Sequence, residues 1–158
     1  MSDQAPQTKQ EYAEEVGIYF EHMGMTRMSG RILGWLMVCD PPHQTINELA
    51  EALQASKGSI STMTRVLMQI GIVERFSIPG QRRDLYRVRT GGWLATVEAS
   101  IAEYRNFRQL AERGLNLLDG EPPKARERLE DMRDVYGFFE REMPGLIEKY
   151  KQERRAQK

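Results

Sequence analysis

The chain has one cysteine, Cys39, in 158 residues, so no intramolecular disulfide can form. Cys39 closes the apolar run Ile32-Leu33-Gly34-Trp35-Leu36-Met37-Val38, with no basic neighbour to lower its pKa. It reads as a small buried hydrophobe rather than a redox sensor. The two histidines, His22 and His43, stand apart and match no metal-ligand spacing, so no metal is expected. No signal peptide and no 18-residue apolar stretch is present, which predicts a soluble, cytoplasmic protein with no membrane partner. A glycine-rich phosphate loop, an HExxH motif and a nucleophile–base set are all missing. The acidic residues after position 90 mostly alternate with Arg and Lys, as on a solvated helix face. No enzyme and no cofactor is expected.

Excess charge of one sign is also missing. Lys and Arg number 23, as do Asp and Glu. A neutral chain argues against general coating of nucleic acid, but the balance is not local. Residues 1–55 hold three basic and eight acidic residues, a net −5. Residues 56–90 hold seven basic and two acidic, a net +5, and residues 91–158 hold thirteen of each. The positive charge is concentrated in one segment, as a focused phosphate contact requires.

That segment lies within the most informative pattern of the chain, TINELAEALQASKGSISTMTRVLMQIG, residues 45–71. Thr45 with Glu48 three residues on is a capping box, and Ile46, Leu49, Ala50 and Leu53 fall on one helical stripe. Ser56 offers a second N-cap. The helix after it should bury Ile60, Met63, Leu67 and Ile70 and end at Gly71. Its early outward residues, Lys57, Gly58, Ser59, Ser61, Thr62 and Arg65, are small, hydrogen-bonding or basic. Such a helix can enter a major groove about 12 Å wide with its free N–H groups facing a phosphate. A β-leaning run from Ile72 to Ile78 follows, then Pro79-Gly80-Gln81, then Arg82 to Arg89. This reads as a hairpin with Arg82 and Arg83 at its tip. The fold class predicted is mainly α with a small β-wing: a winged helix-turn-helix with helical extensions.

The stretch RILGWLMVCDPPHQTINELAEALQASKGSISTMTRVLMQIGIVERFSIPGQRRDLYRV resembles the winged-helix core of MarR-type bacterial transcriptional regulators. The words SGRILGWLM, DPP, ELAEAL and SKGSIST most resemble the GbsR-like branch. The resemblance, over roughly residues 10–120, implies a homodimer with a recognition helix in the major groove and a wing near the minor groove. It also implies frequent control by a small ligand. Two positions depart from the pattern. Gln54 stands where many helix-turn-helix proteins have Gly, at a turn that often needs φ > 0. PGQRRD replaces the usual aspartate at the start of the wing.

The rest reads as helices. Residues 1–8 are polar and expected to be frayed. A first helix from about Lys9 to Met23 carries Tyr12, Val16, Tyr19, Phe20 and Met23, and a second, with Ser29 as its expected cap, runs to about Cys39. Asp40-Pro41-Pro42 stops it. After the Gly91-Gly92 hinge a long helix carries Trp93, Val97, Ile101, Tyr104 and Leu110. Beyond Pro122-Pro123, the residues Ala125, Leu129, Met132, Tyr136, Phe139, Met143, Leu146 and Tyr150 are spaced 4, 3, 4, 3, 4, 3, 4, a heptad seam that Pro144 should break or kink. The seam needs a partner, either the first helix or the same helix of a second chain, and the family resemblance favours a second chain. A mobile charged tail, Lys151 to Lys158, is expected last.

The expectation is therefore a DNA-binding domain at residues 9–90 and a dimerisation region at 91–158. The predicted function is a sequence-specific regulator of repressor type, bound as a homodimer to a pseudo-palindromic operator in double-stranded DNA. The candidate DNA contacts are Ser56, Lys57, Gly58, Ser59, Ser61, Thr62, Arg65, Arg82 and Arg83. Asp84 is the expected partner of one wing-tip arginine. The candidate dimer contacts are Trp93, Val97, Ile101, Leu129, Met132, Tyr136, Phe139 and Met143. The GbsR-like resemblance suggests a quaternary ammonium effector, with Trp35, Trp93 and Tyr104 as candidate aromatic contacts. The alternative is a winged helix used for protein interaction without DNA. Such a module usually has acidic or apolar residues on its recognition face, where this chain has Lys57, Ser59, Ser61, Thr62 and Arg65.

Overall fold

The computed structural model describes residues 8–80 and 82–157. Residues 1–7, most of the expected frayed terminus, and Gln81 of the expected wing tip lie outside the described residues. Among the described residues six helices and two strands follow in the order α1 (Lys9–His22), α2 (Arg27–Val38), α3 (Ile46–Ala52), α4 (Lys57–Ile70), β1 (Val73–Phe76), β2 (Leu85–Val88), α5 (Gly92–Leu117) and α6 (Pro123–Ala156). The chain divides into two compact units at Trp93/Leu94.

In the first unit the helix starts are set by side chains that accept orphan N–H groups. Thr8 and Glu11 form a capping box on α1. The cap of α2 is Thr26, whose hydroxyl accepts from the Ser29 N–H. Ser29 was the expected cap, yet it lies inside the first turn, fully buried, and donates its hydroxyl to the Thr26 carbonyl. Two residues with capping chemistry stand three apart here, and burial of Ser29 leaves the outer one to cap.

The antiparallel hairpin of α1 and α2 is unusually close because α2 presents glycines to α1. A Cβ on Gly30 would lie 2.6 Å from the Val16 carbonyl oxygen, and one on Gly34 would lie 2.8 Å from Ala13 Cα. Ala13 is correspondingly fully buried. Beneath this hairpin lies one core of Ile32, Leu33, Leu36, Leu49, Leu53, Ile60, Leu67, Ile72 and Val73. Each such side chain contributes about 1.5–3 kcal/mol through removal from water. Within α4 the buried stripe is Ile60, Thr64 and Leu67, with Met63 at its edge. The expected fourth member, Ile70, is 41% exposed. It stands one position before the left-handed Gly71 (φ 86), ten residues after Ile60, where the helical stripe has rotated away from the core.

The second unit is an antiparallel helix pair. Lys151 pairs with Glu98, Arg108 with Glu140, and Leu129 lies against Gly114, marking the register from end to end. Tyr136 stacks on Phe107 with ring centroids 4.6 Å apart, and Phe139 meets Tyr104 at 5.7 Å. The heptad seam of α6 is thus in contact with α5 of its own chain. Helix α6 runs without interruption through Pro144, where a break was expected, and on through most of the expected mobile tail. Proline removes one backbone bond and leaves the rest of a 34-residue helix to hold it. Outside the pair, Leu110, Leu117, Phe138 and Leu146 remain more than half exposed.

Candidate nucleic-acid interface

The interface is assembled from two short helices and a hairpin. The capping box of α3 is present: the Thr45 hydroxyl accepts from the Glu48 N–H (3.2 Å), and Glu48 Oε2 accepts from the Thr45 N–H (2.6 Å). These bonds hold the Glu48 carboxyl below its ordinary range, helped by the nearby Arg83 charge. Helix α3 ends in a Schellman turn, with Ala55 N–H bonded to the Ala50 carbonyl and Gln54 N–H to the Glu51 carbonyl. Gln54 occupies the left-handed position of this turn with φ 49. It is the residue whose place in the sequence suggested glycine. Two residues later Ser56 caps α4, its hydroxyl accepting from the Ser59 N–H at 3.2 Å.

Helix geometry then sorts α4 into two faces. Ile60, Met63, Thr64 and Leu67 face the core, whereas Gly58, Ser61, Thr62 and Arg65 form the opposite stripe at the same spacing. Lys57, Gly58, Thr62 and Arg65 are exposed, as is Ser56; Ser59 and Ser61 are half-buried at the margin. A Cβ on Gly58 would meet nothing within 4 Å, so the first turn of α4 is open to close approach.

The wing pairs Val73 with Val88 and Phe76 with Leu85, and its base gains a third edge where Gln44 and Tyr86 exchange backbone bonds of 2.9 and 2.8 Å. Two of its arginines are neutralised. Arg87 bonds Glu74 at 2.7 Å and covers the Phe76 ring at 4.4 Å. Arg75 pairs with Asp84 at 3.3 Å, and Ser77 donates to the same carboxylate. Asp84 therefore engages Arg75, not Arg82 or Arg83 as expected, because antiparallel register returns it beside β1. Arg82 and Arg83 are exposed and, like Lys57 and Arg65, have no ion-pair partner among the described residues. Which arginines the hairpin consumes depends on strand register and was not legible from residue order.

The other singled-out residues are placed as follows. Cys39 is buried, its thiol pushed up by desolvation and directed to the Leu36 carbonyl at 3.7 Å. His22 is exposed, and His43 meets the Phe76 ring edge-on at 5.5 Å. Trp35 is half-buried against the core, Trp93 is 53% exposed and Tyr104 lies between Tyr136 and Phe139. Of the candidate dimer residues, Leu129, Tyr136 and Phe139 touch α5, while Ile101, Met132 and Met143 are half-buried. Val97 is 42% exposed. Periodicity missed the network in which Glu140 accepts from Arg105 at 3.0 Å and Arg108 at 2.6 Å. No group of three metal-ligating side chains occurs among the described residues, and no described helix is long and apolar enough to cross a membrane.

Comparison with known proteins gives a consistent picture. The model of the MmpR5-like MarR family of transcriptional regulators matches residues 91–153, and that of the IclR helix-turn-helix domain matches residues 29–76. The HTH-type transcriptional regulator MmpR5 of Mycobacterium tuberculosis is 41% identical over 142 residues, covering 90% of this chain and 86% of that protein. The HTH-type transcriptional repressor OpcR of Bacillus subtilis is 28% identical over 131 residues, 75% of this chain and 69% of that protein. A crystal structure of a transcriptional regulator is 40% identical with a TM-score of 0.81, covering 91% of this chain and 98% of that one.

Proposed function

This chain belongs to the MarR family of winged-helix transcriptional regulators and is MmpR5-like, and from that premise we propose that it binds one pseudo-palindromic operator as a homodimer and represses transcription from it. The observation that carries this reading is that only two of the seven cations of residues 56–90 are ion-paired among the described residues; of the five others, Arg89 follows β2 and four lie on α4 and the wing tip. Lys57 and Arg65 on α4 and Arg82 and Arg83 on the wing are exposed and unpaired among the described residues, while Arg75 and Arg87 are neutralised by Asp84 and Glu74. Phosphates and base edges are what exposed cations without ion-pair partners, beside small polar residues, can recognise.

In this reading Arg65 reaches a base edge, while Lys57, Ser56 and the open backbone at Gly58 meet phosphate. Ser59, Ser61 and Thr62 line the groove, and Arg82 and Arg83 enter the neighbouring minor groove. Residues 9–90 carry DNA binding and residues 91–158 carry dimerisation, through the apolar surface that α5 and α6 leave uncovered. A relative named as a repressor supports the sign of regulation. The words SGRILGWLM and SKGSIST support a GbsR-like character and a quaternary ammonium effector, with Trp35, Trp93 and Tyr104 as its aromatic contacts. The protein would act in the cytoplasm.

The test is fluorescence anisotropy with duplexes selected from a random pool by the unmodified protein. Arg65→Ala should cost about 1–3 kcal/mol and relax preference at one position of each half-site. Lys57→Ala should weaken all duplexes alike and reduce the salt slope by about 1. Unchanged affinity and salt dependence in both variants would remove α4 as the reader.

A further inference from the structure

The geometry points to Arg31 as a positioning residue for DNA recognition: it clamps the strained turn that sets the start of α4. The inference rests on the reading of α4 as the DNA-contacting helix. Arg31 lies on α2, outside every candidate contact. Its Nη2 donates to the Leu53 carbonyl at 2.8 Å, and its Nε lies 2.7 Å from Glu14 Oε2. That contact is an ion pair without a hydrogen bond from Nε; Glu14 stands on α1 and accepts a hydrogen bond from Arg27. One guanidinium therefore ties α1 and α2 to the C-cap of α3.

The carbonyl it holds is a specific one. The Schellman turn uses the Ala50 and Glu51 carbonyls and leaves that of Leu53, the C-cap, without a backbone donor. The next residue, Gln54, is the only non-glycine residue with positive φ among those described. Glutamine adopts this region reluctantly because its Cβ crowds the backbone, whereas glycine does not. Relaxation of Gln54 toward negative φ would swing the Leu53–Gln54 peptide and with it Ser56, the cap that fixes the first turn of α4. A charged donor on the Leu53 carbonyl opposes that rotation, and a cation at the C-terminus of α3 suits the helix dipole. Side-chain exposure of Arg31 is 24%, so the bond is partly shielded from water. Where glycine fills the turn no clamp is needed; where glutamine does, Arg31 supplies the constraint that the turn residue lacks.

The test uses the full chain with Arg31→Met, which keeps the apolar stem and removes the guanidinium, alone and combined with Gln54→Gly. Glu14→Gln is a milder variant that keeps Arg31 but loosens its orientation. Two quantities are measured. The first is hydrogen exchange at the Gln54 and Ala55 amides in the free protein. The second is discrimination, the affinity ratio between a duplex selected by the unmodified protein and a scrambled duplex. Arg31→Met should speed exchange at both amides and lower discrimination about tenfold, with Glu14→Gln moving both the same way by about threefold. Adding Gln54→Gly to Arg31→Met should restore both to within about threefold of the unmodified protein, because glycine holds the turn unaided. Unchanged exchange and discrimination in Arg31→Met would overturn the proposal. So would a loss that Gln54→Gly leaves uncorrected, since that is the signature of general destabilisation. Should the unmodified protein fail to discriminate at all, the DNA-binding reading falls, and the exchange data alone decide the clamp.

Discussion

Gly30→Ala is expected to destabilise the winged-helix unit, although alanine is ordinarily the better helix former. In a free helix the change would gain about 0.8–1.0 kcal/mol from propensity. Here the new methyl would stand 2.6 Å from the Val16 carbonyl oxygen and 2.8 Å from both Gly17 Cα and Phe20 Cβ. Two of these three neighbours are backbone and cannot rotate away, so α1 must move off α2 by several tenths of an ångström. Overpacking of this kind costs about 1–3 kcal/mol, at its upper end when backbone must shift. The net expectation is a loss of about 1–2 kcal/mol, and in a unit of this size about 4–8 °C in Tm for each kcal/mol. Gly58→Ala is the matched control in the same unit, because its methyl would meet nothing within 4 Å. It should leave stability unchanged or raise it by up to about 1 kcal/mol. Urea unfolding followed by the fluorescence of Trp35, half-buried on the core, compares the two directly. Equal or greater stability in Gly30→Ala would refute the close crossing of α1 and α2.

Three further outcomes follow from other parts of the molecule. The Glu48 carboxylate is held below its ordinary pKa by the bonds from Thr45, so its contribution is fully present above the unfolded value of about 4.3 and is lost as pH falls through the lower folded value; Tm against pH should therefore fall less steeply on the acid side in Glu48→Gln. The double change Arg82→Ala with Arg83→Ala should weaken binding most on A·T-rich flanks, whereas Asp84→Asn, which releases Arg75, should not lower affinity; anisotropy on paired flanks would contradict this if both variants behaved alike. Leu129 is already committed to Gly114 within the chain, so the proposed dimer is better probed with Leu117→Glu and Leu146→Glu, at positions that are 86% and 59% exposed; light scattering should report monomers with unchanged Tm of the winged-helix unit.

Much of this was legible because local chemistry dictated it. Thr45 with Glu48, Ser56 and Gly71 each specify a helix end through their own side chain or φ, and all three ends are where the sequence placed them. The family resemblance marked Gln54 as standing where glycine is common, and Gln54 takes the left-handed conformation there. What escaped depends on the partner across space. Thr26 and Ser29 have the same capping chemistry, and only burial of Ser29 decides between them. Asp84 could be assigned to neighbouring arginines by proximity in sequence, but strand register gave it to Arg75. Gly30 and Gly34 carry no side chain to read, and their meaning depends on α1 lying against them. The heptad seam signalled an apolar partner without naming it, and α5 of the same chain takes part of it.

In the proposed assembly two copies of α4 read one operator from opposite halves of a dimer. Selection of bound duplexes from a random pool, followed by sequencing, tests it most directly. One enriched pseudo-palindrome is expected, with half-site centres about 10 base pairs apart, an enrichment that Arg65→Ala blurs at one position in each half. A pool that stays random, or an enriched site without two-fold symmetry, would contradict it.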